Sequence, residues 1–235
     1  MSEFSRLSGV LFEPTKAFTD IAKRPSFWVP LLLSILAAIT FVALIEQHIG
    51  VGEILRQRME ASPQSAEQYA QMPAQQRDTA IKVTGVVMYL AAVFFPPFIS
   101  LISAAVLLAI VSIMSAGVRF AQLFAILCYA SIPRIISTAL SIVVMFLKKP
   151  DEFNMNNPLA FNPGAFMDPK ASSKFVYALA SSLDLFTLWT ILLIAVGIKA
   201  AAGKRISFGG ALTAVVVPWL ILVFIGAALA GVFGG

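Results

Sequence analysis

Five long apolar runs, separated by polar or turn-forming stretches, organise this chain. They cover about residues 28–46, 83–115, 121–147, 175–198 and 208–233. An α-helix rises ~1.5 Å per residue and a bilayer core is ~30 Å thick, so a run of ~20 apolar residues is long enough to cross. The pattern therefore predicts an all-α, polytopic membrane bundle of five transmembrane helices. The run 83–115 is too long for an upright crossing, and Pro96-Pro97 predicts a kink within it. Pro133 and Pro218 predict further kinks in the third and fifth helices. Proline removes a backbone donor but is tolerated in a span when neighbours or water satisfy the released carbonyl.

The polar stretches carry their own patterns. Residues 1–27 form a lead-in. Within it Pro14 suits the first position of a helix, and Phe18, Ile21 and Ala22 share one face. Lys16, Lys23 and Arg24 make the opposite side basic, and Pro25 ends the helix. That pattern predicts an N-terminal interfacial amphipathic helix lying among lipid headgroups. Residues 47–82 are rich in Gln, Glu, Arg and Ala, which predicts short polar helices outside the membrane. Residues 148–174 are rich in Asn and Pro and predict an irregular surface loop.

Composition agrees with the pattern. Of 235 residues, 59% are hydrophobic and 12% are charged, with a mean hydropathy of +0.87. Soluble domains average about 45–50% and about 25%. The formal charge of +5 is scattered, with no basic cluster interleaved with aromatics, so no nucleic-acid partner is expected. The mild positive excess suits contact with anionic lipid. Cys128 is the single cysteine and His48 the single histidine, so no zinc-ligand spacing exists and no metal or other cofactor is expected. Lys and Arg divide evenly between the two sides of a five-span chain. The short connections nevertheless carry Arg119, Lys199, Lys204 and Arg205 almost without acid, whereas the long ones carry seven carboxylates. Short connections weigh most, so the N-terminus is expected in the cytoplasm and the C-terminus outside.

Two charges fall inside apolar runs. Arg134 lies in the third, where a guanidinium costs roughly 2.5–3.5 kcal/mol on insertion scales. Asp184 lies in the fourth, on an antiparallel neighbour, at a depth that can match. The pair Arg134–Asp184 reads either as a structural ion pair or as the lining of a polar pathway. Small hydroxyl residues on the second, third and fourth runs read as close helix contacts. Lys199, Lys204 and Arg205 form a basic turn, too short for a phosphate loop and best read as an orientation signal touching headgroups. Hydrolase and metalloprotease signatures are missing, and no serine has a well-placed base, so no enzyme is expected.

Several of these residues coincide with a known pattern. Tyr129-Ala130-Ser131-Ile132-Pro133-Arg134 resembles the Tyr-Ala-x-x-Pro signature of the Yip family. So does Ser182 to Trp189, containing Asp184, followed by Gly197-Ile198-Lys199, and so does the Gly203-Lys204-Arg205 turn. Gly9 to Pro14 and Arg24-Pro25 are similar to the family's bacterial branch. The resemblance implies five spans, a cytoplasmic N-terminus and, for a bacterial member, the cytoplasmic membrane. Eukaryotic members bind Rab-type GTPases, but their Asp-Leu-Tyr-Gly-Pro motif is absent here, so the resemblance does not carry GTPase binding over. The expectation is a non-enzymatic scaffold or adaptor that meets a membrane-protein partner or a second copy of itself. A transport-associated protein or small permease built on Arg134 and Asp184, and a lipid-sensing or lipid-handling protein, are the alternatives.

Overall fold

The computed structural model describes residues 1–60, 63–150, 152–155, 157–168 and 171–233. Asp151 and Lys170, which enter the charge comparison above, lie outside them. In chain order the helices are α1 (Glu3–Phe12), α2 (Pro14–Lys23), α3 (Trp28–His48), α4 (Val51–Met59), α5 (Pro63–Gln71), α6 (Ala74–Ile113), α7 (Phe120–Ala130), α8 (Ile132–Leu147), α9 (Lys174–Ser182), α10 (Leu185–Ala202) and α11 (Phe208–Phe233). One 3-10 turn, Pro163–Phe166, lies between α8 and α9. Among the described residues there is no strand. Five helical stretches are long and apolar enough to span a membrane: Trp28–His48, Ala74–Ile113, Phe120–Leu147, Leu185–Ala202 and Phe208–Val232. The protein is an all-α polytopic membrane protein.

The chain divides into two compact units. The first comprises Met1–Leu36, Phe95–Ser137 and Asp184–Leu222. Its core is built from Val10, Phe18 and Ile21 of the lead-in together with Leu123, Ile126 and Tyr129 of α7 and Ile194 and Ile198 of α10. Helices α3 and α7 run in the same direction here. Phe27, just before α3, meets Phe124 of α7 edge-on with centroids 4.8 Å apart, and seven residues further along both segments Ser34 Oγ of α3 lies 3.1 Å from Ser131 Oγ, just past α7. The second unit comprises Ala37–Phe94, Thr138–Leu183 and Val223–Gly235. Its core gathers Ile45, Ile54, Met88, Met145 and Phe153, and Tyr89 of α6 donates to Glu46 of α3 at 2.7 Å.

The prolines act unequally. Helix α6 runs unbroken through Pro96 and Pro97 over 40 residues, and α11 runs unbroken through Pro218. Ser100 Oγ donates to the Pro96 carbonyl at 2.8 Å, a side-chain bond back to the preceding turn. Only Pro133 coincides with an interruption. Helix α7 ends at Ala130, and Pro133 takes the second position of α8, where a missing N–H costs nothing.

Two expectations are corrected, and one helix outruns its apolar run. The second apolar run, from Val83, lies within a helix that starts at Ala74, because the polar turns before it are good enough helix formers to continue it. The stretch 175–198 is not one helix. It breaks after Ser182 and resumes at Leu185 because Asp184 adopts an extended backbone and accepts from the Phe186 and Thr187 amides, capping a new N-terminus. Only Leu185–Ala202 then qualifies as the fourth span. The loop after α8 is irregular yet not wholly on the surface. Phe153, Leu159 and Asn162 are buried, and Asn157 and Asn162 exchange side-chain amide hydrogen bonds at 2.7 and 3.1 Å.

Candidate functional site

The lead-in is a helical hairpin folded onto the first unit. Ser2 caps α1 by accepting the Ser5 amide at 3.2 Å, and Pro14 opens α2 at the position it favours. A methyl group on Gly9 would sit 3.1 Å from Ala17 Cβ, so the bare glycine lets the two helices cross closely. The crossing brings Arg6 of α1 to Asp20 of α2. Arg6 Nε donates to Asp20 Oδ2 at 2.8 Å, and Nη1 donates to Glu3 Oε1 at 3.1 Å and to Ser26 Oγ at 2.8 Å. Ser26 Oγ in turn donates to Glu3 Oε1 at 2.8 Å, and Tyr129 OH donates to Glu3 Oε2. Arg6 is only 4% exposed. A guanidinium is tolerated there because its donors converge on two carboxylates and a hydroxyl, the arrangement that repays desolvation.

The electrostatics follow. The hydrogen bond from Arg6 holds the Asp20 carboxyl below the usual carboxylate range, against a smaller upward push from burial. Burial pushes the Glu3 carboxyl up, but hydrogen bonds from Tyr129 and Ser26 and the Arg6 charge together bring it below its ordinary value.

The apolar face of α2 is equally committed. Ala17, Phe18 and Ile21 are fully buried against protein, so the face that sequence offers to the headgroups is taken up by α7 and α10. Gln122 Nε2 donates to the Ala22 carbonyl at 2.8 Å, fastening the end of α2 to the start of α7. A Cβ on Gly197 would come within 2.4 Å of Ile126 Cγ2 and 3.1 Å of Phe18 Cδ1. Two of the motif residues, Tyr129 and Gly197, are therefore the seat of the hairpin. Trp189 packs half-buried against the same core, and Pro133 is buried.

Arg134 and Asp184 also belong to this unit and act on each other through their charges. Arg134 lies in the first turn of α8, just past the interruption at Ser131. It carries an exposed surface. Asp184 does more than face a charge, since its Oδ1 carries the cap of α10. Direct ion pairs in this unit include those of Arg6 with Glu3 and Asp20, of the N-terminal ammonium with Asp20, and of Lys16 with Glu13.

In the basic turn the three residues separate in role. Lys199 Nζ donates to the carbonyls of Gly203 and Ile206, closing the end of α10, where Gly203 has φ +62°. Arg205 lies across Gly117, whose own φ is +64° and on which a Cβ would collide with the guanidinium. Lys204 is exposed. Among the described residues no cluster of His, Cys, Asp and Glu could hold a metal ion.

Sequence reasoning did not single out Glu3, Arg6, Asp20 or Ser26. One signal was present: Arg6 sits between Phe4 and Leu7 with Glu3 one turn behind, a charge on an otherwise half-apolar helix. Its second carboxylate is fourteen residues away on another helix, which no local pattern reveals. Among known families, the Yip1 domain matches residues 8–230. No curated protein and no solved structure matches the chain.

Proposed function

The chain belongs to the Yip1 domain family, and we propose that it serves as a non-enzymatic scaffold in the bacterial cytoplasmic membrane, with the N-terminal hairpin facing the cytoplasm. The observation that carries this reading is the clamped hairpin. An arm meant only to touch lipid does not need a buried arginine with three side-chain partners, whereas a rigid platform does. The platform displays Phe4 and Phe12, 81% and 82% exposed, as anchors for a membrane-protein partner or a second copy. Cross-linking of the full chain in native membranes tests it. A discrete cross-linked complex that disappears in Phe4→Ser/Phe12→Ser, with thermal stability unchanged, supports a scaffold. A monomer that never cross-links argues against one.

A second reading rests on the interruptions at Ser131 and at Leu183–Asp184, which leave Arg134 and Asp184 near the ends of half-helices inside apolar stretches. Discontinuous spans of this kind recur in transporters. Solute flux in proteoliposomes that Arg134→Gln abolishes without loss of folding favours that reading over the scaffold.

A further inference from the structure

Five cations with no carboxylate neighbour in sequence are gathered at one end of the first unit. Lys23 and Arg24 end α2, Arg119 precedes α7, and Lys204 and Arg205 precede α11; all five are exposed. The hydrogen bond from Gln122 to the Ala22 carbonyl draws the first two toward the third, and Arg205 lying across Gly117 draws the last two toward the same turn. Residues 21–30, 114–122 and 199–210 contain no Asp or Glu. The nearby carboxylates of the hairpin are already committed, Asp20 to Arg6 and Glu13 to Lys16. Each cation stands one to five residues before an exposed aromatic that opens a spanning helix: Trp28 of α3, Phe120 of α7 and Phe208 of α11. Trp28 at a span end marks the hydrocarbon boundary, and α7 and α11 start their apolar runs at Phe120 and Phe208, so the cations just outside them lie at the depth of lipid phosphates.

We propose that Lys23, Arg24, Arg119, Lys204 and Arg205 form a composite phosphate-binding surface that selects anionic lipid from the adjoining leaflet. The inference does not depend on the scaffold reading. Lys199 is not part of the surface, because its ammonium closes the end of α10. The composite nature is the new content: three chain segments, brought together by the docked hairpin, present a charge density that no single turn has. Undocking the hairpin would remove Lys23 and Arg24 from it, which links lipid selection to the Arg6 cluster.

The test uses the full chain in vesicles, with Trp189→Phe and Trp219→Phe so that emission reports Trp28. Brominated phosphatidylglycerol and brominated phosphatidylcholine are compared as quenchers at equal mole fraction. A surface cation beside anionic lipid is worth about a fivefold preference. Quenching should therefore favour phosphatidylglycerol at least about fivefold, weaken in high salt, and fall toward parity in Lys23→Gln/Arg24→Gln/Lys204→Gln. Lys16→Gln, already neutralised by Glu13, should leave the preference intact. Equal quenching by the two lipids overturns the proposal, as does a preference that survives the triple substitution. Loss of the preference in inorganic phosphate, but not in chloride of matched ionic strength, would assign the surface to soluble phosphate and overturn the lipid assignment. Should the triple variant misfold, Lys204→Gln alone, at an exposed position, must still lower the preference.

Discussion

Replacing Arg6 by alanine should open the hairpin while leaving the remaining helices folded. The guanidinium makes three side-chain hydrogen bonds to Asp20, Glu3 and Ser26. Charge-assisted bonds contribute about 1.5–3 kcal/mol each, and breaking a fully buried ion pair costs about 3–5 kcal/mol. The carboxylates here keep some access to water, 25% for Asp20 and 40% for Glu3, so they rehydrate in part once Arg6 is gone. The loss should be about 2–4 kcal/mol, which at ~1.4 kcal/mol per decade raises the opened fraction of the hairpin about 30- to 700-fold. Amide hydrogen exchange in mild detergent reads that fraction directly, because local opening governs exchange. Amides of α1 and α2 should lose protection by that factor, and those of α10 beyond the contact should not. Unchanged protection across α1 and α2 would refute the reasoning, since Arg6 would then hold nothing.

The other predictions concern the seat of the hairpin and the intramembrane charges. Gly197→Ala places a methyl 2.4 Å from Ile126 Cγ2 and should cost about 1–3 kcal/mol in thermal unfolding, with partial recovery in Gly197→Ala/Ile126→Ala. Because Asp20 and Glu3 titrate below their unfolded values, their contribution is complete above about pH 5 and fades as pH falls through the ordinary carboxylate range of about 4 toward the lowered values. Hairpin protection should therefore drop between pH 6 and about pH 3, and a flat profile would contradict the cluster. Asp184→Asn keeps an acceptor for the α10 amides but removes the charge that acts on Arg134. It should lower stability in thermal unfolding, and Asp184→Ala should cost a further ~1 kcal/mol for the lost cap.

The spans were legible because a ~20-residue apolar run has few other uses, and Pro133 announced the interruption beside it. The break at Asp184 was not, for its signal is a single capping carboxylate followed by Thr187, with no proline or glycine to mark it. The hairpin shows a deeper limit. An apolar face of Phe18, Ile21 and Ala22 has the same periodicity whether lipid or protein covers it. What decides is a partner far along the chain, Gly197, whose missing side chain leaves room for Phe18, and a glycine in an apolar run is not by itself distinctive. Tyr129 and Gly197 stood out as motif residues before their shared role was visible, because that role is spatial. The basic turn likewise looked like three equivalent cations, and only the carbonyls facing Lys199 separate it from the other two.

The account rests most heavily on the hairpin's apolar face being covered by protein. Cysteine accessibility at Ala22, which is buried where α2 meets α7, tests this most directly. In a Cys128→Ser background within native membranes, Ala22→Cys should react with neither a water-soluble nor a lipid-soluble maleimide, while Thr15→Cys, exposed on the same helix, reacts with the water-soluble one. Rapid labelling of Ala22→Cys by the lipid-soluble reagent would mean that the face lies in the bilayer and that the clasp does not exist.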